Sequence, residues 1–290
     1  ERALKTCGDR ARAAFGDARV YLERYVRSPK HIEVQGLCDG HGRRASLGER
    51  ECSAQRRHQK IVEESPSPAP FFQGAEGAER RRRVEEAALA IFRHAGYVGA
   101  GTCEFIADDL GNFFFLEVNA RLQVEHPVTE MCTGVDLVEQ QLEIAAGGAL
   151  PSALAVDRAP RSGHAVEARV YAEDPAKSFV PQPGRLSRVV WPQVGPLVRV
   201  ETGFREGDTI TPYYDPLIAK IVASGPDRAS AVDRLRAALA STVVELEGPK
   251  GPAQTNLSFL RAILESDSFA DGSYDTHSAE ALAKAAKIGP

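Results

Sequence analysis

Residues 115–127 read FLEVNARLQVEHP. Glu117, Asn119, Arg121, Gln123 and Glu125 occupy the odd positions, and Leu116, Val118, Ala120, Leu122 and Val124 the even ones. An extended segment with this period of two places five polar groups on one face and five apolar groups on the other. A solvated edge strand carries Lys, Thr and Ser on its wet side. Two carboxylates, two amides and a guanidinium along one face are instead the groups that bind a metal, a phosphate or a small anion.

The segment 101–106 (GTCEFI) is followed by Asp108, Asp109, Leu110, Gly111 and Asn112 and then by an expected strand over 113–119, which overlaps this run. Asp, Gly and Asn between two β-rich runs predict a hairpin. Folded about Leu110 and Gly111, it sets Glu104 opposite Glu117 and Thr102 opposite Asn119. Directly opposed side chains lie ~5 Å apart at Cβ, where like charges repel. Two carboxylates so placed, with an Asn beside them, are expected to share Mg²⁺ or Mn²⁺ with substrate phosphates.

Two more constellations could do chemistry. Gln55, Arg56, Arg57, His58, Gln59 and Lys60 form a basic cluster preceded by Glu49, Arg50 and Glu51. Such a cluster either neutralises phosphate-sized anions or is a solvated loop. In residues 164–175 (HAVEARVYAEDP), Glu167, Arg169 and Tyr171 share one face of an expected strand. An arginine held by a neighbouring Glu167 reads equally as an oxyanion stabiliser or as a structural ion pair.

The elements that must position these groups alternate between helix and strand. Helices are expected over residues 3–15, 76–96, 135–146, 227–239 and 256–264. Strands are expected over 20–26, 31–38, 164–172, 185–191, 198–201, 217–223 and 243–246. Residues 61–70 read as an acidic, proline-rich connection, and the Arg80–Arg83 run as a solvated helix face. The Ala- and Pro-rich stretch 149–162 reads as a boundary. The fold class is therefore α/β, in two domains, which 290 residues can supply with a core each.

A hydrophobic fraction of 43% and a charged fraction of 26% are ordinary for a soluble protein. A net charge of −4 argues against broad nucleic-acid or membrane-surface partners. Five cysteines without C-x-x-C spacing fit a reducing compartment. The chain opens at Glu1 and has one Met, Met131, so it reads as part of a longer polypeptide.

Together these segments resemble the biotin carboxylase family, the ATP-grasp component of acetyl-CoA, propionyl-CoA and pyruvate carboxylases. The resemblance rests on Glu23-Arg24-Tyr25, His31-x-Glu33-x-Gln35, the runs 49–60, 101–104 and 115–130, Gly134-Val135-Asp136-Leu137, residues 163–175 and Tyr213-Tyr214-Asp215-Pro216. QRRHQK and EVNARLQVEHPVTE are its most specific parts. The resemblance implies an ATP-grasp lid remnant over 1–26, the main ATP-grasp part over 27–150 and a biotin carboxylase C-terminal domain over 160–285. It implies two Mg²⁺ or Mn²⁺ ions at Glu104, Glu117 and Asn119, and ATP near Glu23, Arg24, Val26, His31, Gln55, His58 and Ile106. Bicarbonate would meet Lys60, Arg121, Gln123, Val124 and Glu125, with Glu125 as general base and Lys60 and Arg121 as further catalytic groups. Arg169 would hold the ureido oxygen of biotin, presented on a carrier protein or domain. A carboxyltransferase subunit, a homodimer through the C-terminal part, and a cytoplasmic or mitochondrial-matrix location also follow from the resemblance.

The chain departs from that pattern. It lacks the family's Gly-rich phosphate-capping loop and its N-terminal Rossmann-like domain, and reads as starting inside the lid. It also lacks the Ala-Met-Lys-Met biotin acceptor, which places the carrier elsewhere. Arg24 stands where a Lys is often found. Taken alone, the chain is expected not to turn over. Two alternatives stay open: another ATP-grasp ligase, such as a carbamoyl-phosphate synthase half, and a non-catalytic scaffold.

Overall fold

The computed structural model of the chain describes residues 1–154 and 157–286. The first half contains α1 (Arg2–Phe15), β1 (Lys30–Cys38), β2 (Arg44–Arg56), β3 (Gln59–Ser65), α2 (Gly74–His94), β4 (Gly99–Ala107), β5 (Phe113–Asn119), α3 (His126–Thr133) and α4 (Leu137–Ala145). The second opens with β6 (His164–Tyr171), β7 (Glu173–Asp174), β8 (Val180–Pro181), β9 (Gly184–Val190), β10 (Val198–Thr202), β11 (Thr209–Ile210) and β12 (Leu217–Gly225). It closes with α5 (Arg228–Ser241), β13 (Val243–Gly248), β14 (Gly251–Ala253), α6 (Leu257–Glu265), α7 (Asp267–Ala270) and α8 (Ser278–Ala286).

Eight strands form one antiparallel sheet in the order β10-β12-β6-β3-β2-β1-β4-β5. Strands from both halves of the chain meet in it, because β3 pairs with β6 in the register Val62↔Ala168 and Glu63↔Glu167. A smaller sheet follows the order β11-β9-β13-β14.

Alternation assigns the two faces of the large sheet. Ile32, Val34, Cys103 and Phe105 pack against Val84, Ala88 and Phe92 of α2. Val62, Val166 and Ala168 pack on the same side against Ala231, Leu235 and Leu239 of α5. On the opposite side α3 covers Ala165 and Val222 through Val128 and Cys132, and α4 covers Leu37 and Leu47 through Leu137 and Ile144. That second side carries Glu33, Gln35, Arg50, Thr102 and Glu104. Close packing on α2 requires glycine at Gly36, where an added Cβ would lie 2.3 Å from the Phe92 ring.

Four expectations need correction. Residues 20–26 form no strand: Tyr21, Leu22 and Tyr25 are exposed and have no neighbouring strand to complete a ladder. Residues 61–65 are not a connection but most of β3, whose Glu63 and Glu64 are buried against cations. The long strand β2 was not expected at all. The Arg80–Arg83 run is not wholly solvated, because Arg81 donates to Glu49 Oε1 at 2.7 Å and to the carbonyls of Phe72 and Ser67.

Glu64 binds the halves together. It accepts from His164 at 2.6 Å, from Arg228 at 2.7 and 2.9 Å, and from the Tyr274 hydroxyl at 2.7 Å. Burial alone would raise this carboxyl, yet the His164 and Arg228 hydrogen bonds bring it down to about 2. A carboxyl held below its ordinary 4.5 contributes stability present above pH 4.5 and lost as pH falls through about 2. The shift corresponds to roughly 3 kcal/mol. Urea unfolding of the native chain should therefore weaken across that window, and Glu64→Gln should flatten the acid limb. Parallel limbs for the two proteins would show that Glu64 is not linked to folding.

Candidate active site

The β4–β5 hairpin forms in the expected register, Thr102↔Asn119 and Glu104↔Glu117, around the 108–112 turn. Glu104 is buried and Glu117 exposed. Asn119 Nδ2 donates to Glu104 Oε1 at 3.0 Å and to Glu117 Oε1 at 3.3 Å, so both carboxylates lie on one side of the sheet. Two carboxylates converging on one amide suit a hard divalent cation, and a flip of Asn119 would add its carbonyl oxygen.

The next shell is organised by Lys60 at the start of β3. Its ammonium contacts Glu33 of β1, Glu104 Oε1 at 3.0 Å and Glu125 Oε1 at 2.8 Å. Burial disfavours that charge, but Glu33 and the other carboxylates raise the lysine far above its ordinary value and keep it cationic. His31 Nε2 lies 3.0 Å from Glu104 Oε2. Burial would raise Glu104, yet its hydrogen bond with His31 and the charge of Lys60 hold it well below the usual carboxylate range. The basic cluster 55–60 is thus neither a solvated loop nor wholly in the site. It forms a tight β2–β3 turn, with Arg57 and His58 at φ 50° and 63°, from which Lys60 points inward.

Beneath these groups lies Arg50, completely buried in the middle of β2. It donates to Glu33 Oε2 at 3.0 Å, Gln35 Oε1 at 2.7 Å, Thr129 at 3.0 Å, Thr102 at 3.1 Å and Gln123 Oε1 at 2.6 Å. Gln123 in turn donates to Glu104 Oε1 at 2.8 Å. Sequence reasoning placed none of Arg50, Glu33, Gln35 or Thr129 in the site. The available signal was the alternation of Glu33 and Gln35 with Ile32 and Val34 along β1.

Arg169 points into the same site from β6. Its Nη2 lies 2.7 Å from Glu125 Oε2 and 2.6 Å from Glu63 Oε1. The expected partner, Glu167, is not among its contacts. Glu125 is therefore spanned, one oxygen on Lys60 and the other on Arg169. The hairpin strand expected over 113–119 forms with those bounds, but the polar–apolar alternation that runs on to residue 125 is not extended strand beyond Asn119, because the chain leaves the sheet edge and Pro127 opens α3. That departure carries Gln123 and Glu125 over the sheet face, where both are buried. Lys220 of β12 holds the backbone there by donating to the Val124 carbonyl at 2.7 Å.

Other expected residues stand apart from this cluster. Arg121 is exposed and donates to the neighbouring Leu122 carbonyl at 3.2 Å. His58 is exposed at the β2–β3 turn, and Gln55 is buried with its amide 3.4 Å from the Cys52 carbonyl. Ile106 is the register partner of His31. Glu23 and Arg24 are exposed and Val26 half-buried in an irregular segment, with the Arg24 guanidinium 5.9 Å from the Phe114 ring centre.

Comparison with known proteins identifies the family. Residues 1–153 match the family model described as carbamoyl-phosphate synthase L chain, ATP binding domain. Residues 167–281 match the biotin carboxylase C-terminal domain. The chain is 46% identical to the propionyl-CoA carboxylase alpha chain of Ruegeria pomeroyi, over 91% of this chain and 39% of that one. It is 44% identical to the biotin carboxylase of a Nostoc species, over 92% of this chain and 56% of that one. It superposes with a TM-score of 0.85 and 40% identity on the biotin carboxylase domain of Hydrogenobacter thermophilus 2-oxoglutarate carboxylase, solved with MgADP, ADP and bicarbonate. That match covers 97% of this chain and 58% of the other. The chain thus spans well under two thirds of each of these relatives. The second family model and these relatives set aside a carbamoyl-phosphate synthase half, and the chain belongs to the biotin carboxylase family.

Proposed function

We propose that the chain carries the catalytic floor of an ATP- and bicarbonate-dependent biotin carboxylase. The carrying observation is the placement of Glu125, whose two oxygens meet Lys60 at 2.8 Å and Arg169 at 2.7 Å. A carboxylate between two fixed cations is suited to take the proton of bicarbonate while those cations steady the anion it leaves. Gln123 and the Val124 backbone would line the bicarbonate pocket, and Arg121, which here turns to the Leu122 carbonyl, would have to swing inward to join them. Deprotonated bicarbonate attacks the γ-phosphate of ATP, the bond from that phosphorus to the bridging oxygen breaks, and ADP leaves as carboxyphosphate forms. Carboxyphosphate breaks down to CO₂ and phosphate, the phosphate takes the N1′ proton of biotin, and N1′ attacks CO₂, with Arg169 holding the ureido oxygen. Positioning and cationic stabilisation account for most of the rate, as in phosphoryl transfer generally.

Glu23, Arg24, Val26, His31, Gln55, His58 and Ile106 are assigned to the nucleotide. Glu104, Glu117 and Asn119 are assigned to Mg²⁺ or Mn²⁺, which when bound would neutralise phosphate charge. Biotin would arrive on a carrier protein or domain and pass to a carboxyltransferase, in the cytoplasm or the mitochondrial matrix. Among the described residues no helix is long and apolar enough to cross a membrane.

The test is bicarbonate-dependent ADP formation with Mg-ATP and free biotin. It should be run on the chain and on a chimera carrying the N-terminal part of the Nostoc relative ahead of Glu1. Turnover that needs both bicarbonate and biotin is expected of the chimera; a folded, nucleotide-binding chimera without it would favour a scaffold. Within an active chimera, Glu125→Gln should lower the bicarbonate-dependent rate ~10²–10⁴-fold with nucleotide binding retained. Arg169→Ala should impair biotin carboxylation more than ATP cleavage, and equal losses would leave Arg169 a structural role. For the metal, MgADP at a hundredfold excess over its Kd should stabilise the native protein by about 2.7 kcal/mol in thermal unfolding. Glu117→Gln should reduce that gain, and an unchanged gain would remove Glu117 from the metal site.

A further inference from the structure

Below Arg169 the sheet holds two carboxyl groups that the reaction above does not use. Glu63 of β3 and Glu167 of β6 are direct register partners, and both are fully buried. None of their four oxygens accepts a hydrogen bond. The single close approach is Arg169 Nη2 to Glu63 Oε1 at 2.6 Å, an ion-pair contact out of hydrogen-bond alignment. Two opposed carboxylates in a dry interior cannot both be ionised without a cation to hold them.

The surrounding charges do not supply that cation. Lys60, on β3 itself, is shared by Glu33, Glu104 and Glu125. Lys220 of β12 is committed to Glu201 at 2.5 Å and to the Val124 carbonyl. Arg169 divides between Glu63 and Glu125. Arg199 of β10, the register partner of Val222 and so two strands from Glu167, is committed to Glu130 at 2.6 Å and to Glu201. The other titratable groups near this region are Cys52 of β2, Tyr171 of β6, Glu125, and His126 and Glu130 of α3. None of these has a fixed positive charge. Among the described residues, neither Glu63 nor Glu167 belongs to a set of metal-ligating side chains close enough to share an ion.

We propose that Glu63 and Glu167 share one proton, and that this singly charged pair positions Arg169 for biotin by pulling its guanidinium inward against the outward pull of Glu125. The proposal rests on Arg169 being the biotin-holding group. Burial, only partly offset by the charge of Arg169 and reinforced by Glu125, pushes Glu63 up to about 7. Burial and the neighbouring Glu63 push Glu167 well above the usual range. As pH rises, an O–H bond of the pair breaks and the proton passes to solvent. The second negative charge then draws Arg169 away from Glu125 and from biotin, so the biotin-dependent step slows. Acidification reverses the change. A carboxyl raised in the folded state contributes stability that is present below its ordinary 4.5 and lost as pH rises through about 7.

Two measurements on the 290-residue chain test the pair without any turnover. The infrared carbonyl stretch of a protonated carboxyl should be present at neutral pH and disappear in Glu167→Gln. The urea midpoint of the native chain should fall between pH 4.5 and about 7, and in Glu63→Gln that fall should vanish, because the group that ionises in this window is gone. Glu63→Gln should keep the stretch, carried by the buried Glu167, and serves if the first variant does not fold. Absence of the stretch, or identical titrations, overturns the pair. The positioning role is read in the active chimera. Glu167→Gln should abolish the alkaline decline of biotin-dependent ADP formation while leaving biotin-independent ATP cleavage on its native pH profile. Both activities changing together, or an unaltered decline, overturns that role. A chimera with no biotin-dependent activity counts against the functional reading, and the stretch and the urea titration still decide the pair.

Discussion

Lys60 must be neutralised where it lies, and much of the site follows from how this is done. Its three carboxylates come from separate places: Glu33 from β1, Glu104 from β4 and Glu125 from the segment after β5. None is a sequence neighbour of another. One ammonium therefore fixes the relative height of two strands and a loop. Removing a single member of a buried charge cluster typically costs ~3–5 kcal/mol, because its partners stay buried and uncompensated. Such a cluster is a poor source of net stability but a strong source of uniqueness, since no alternative strand register would match its charges.

Arg50 extends the constraint to the amides and hydroxyls. Its planar donors are distributed over Glu33, Gln35, Thr102, Gln123 and Thr129. It thereby joins β1, β4, the loop after β5 and the start of α3 from below. A lysine would offer a single point charge and could not span that arc. Gln123, held by Arg50, presents its own amide to Glu104. The groups facing the substrate are thus oriented by others that substrate would never touch, as pre-organised sites require.

The β4–β5 hairpin was legible because its signals are local: alternation on both strands and a turn rich in Asp, Gly and Asn. Its register, and so the pairing of Glu104 with Glu117, followed directly. Reading the alternation on to Glu125 failed because alternation does not say where a strand loses its neighbour. The opposite error occurred at residues 20–26, where β-rich residues have no strand to pair with. β2 was illegible because Glu49, Arg50, Glu51, Ser53 and Gln55 are all buried, so hydrophobicity has no period to detect. The partners of Arg169 were hidden for a related reason. Glu167, two positions away on the same strand, was the local candidate, whereas Glu63 and Glu125 reach Arg169 only once β3, β6 and the loop are assembled.

The pairing of β3 with β6 also has a consequence for synthesis. About 100 residues separate the two strands, so at ~5–20 residues per second β3 leaves the ribosome some ~5–20 s before its neighbour. During that interval its edge is an unpaired template, the kind of edge that recruits strands from other chains. The sequence of β3, QKIVEES, places a lysine and two adjacent glutamates on that edge. While the strand waits in water these side chains are solvated and charged, and they discourage a foreign strand from docking. The same glutamates later become buried between the halves of the sheet, so groups that end inside the protein first guard the nascent chain.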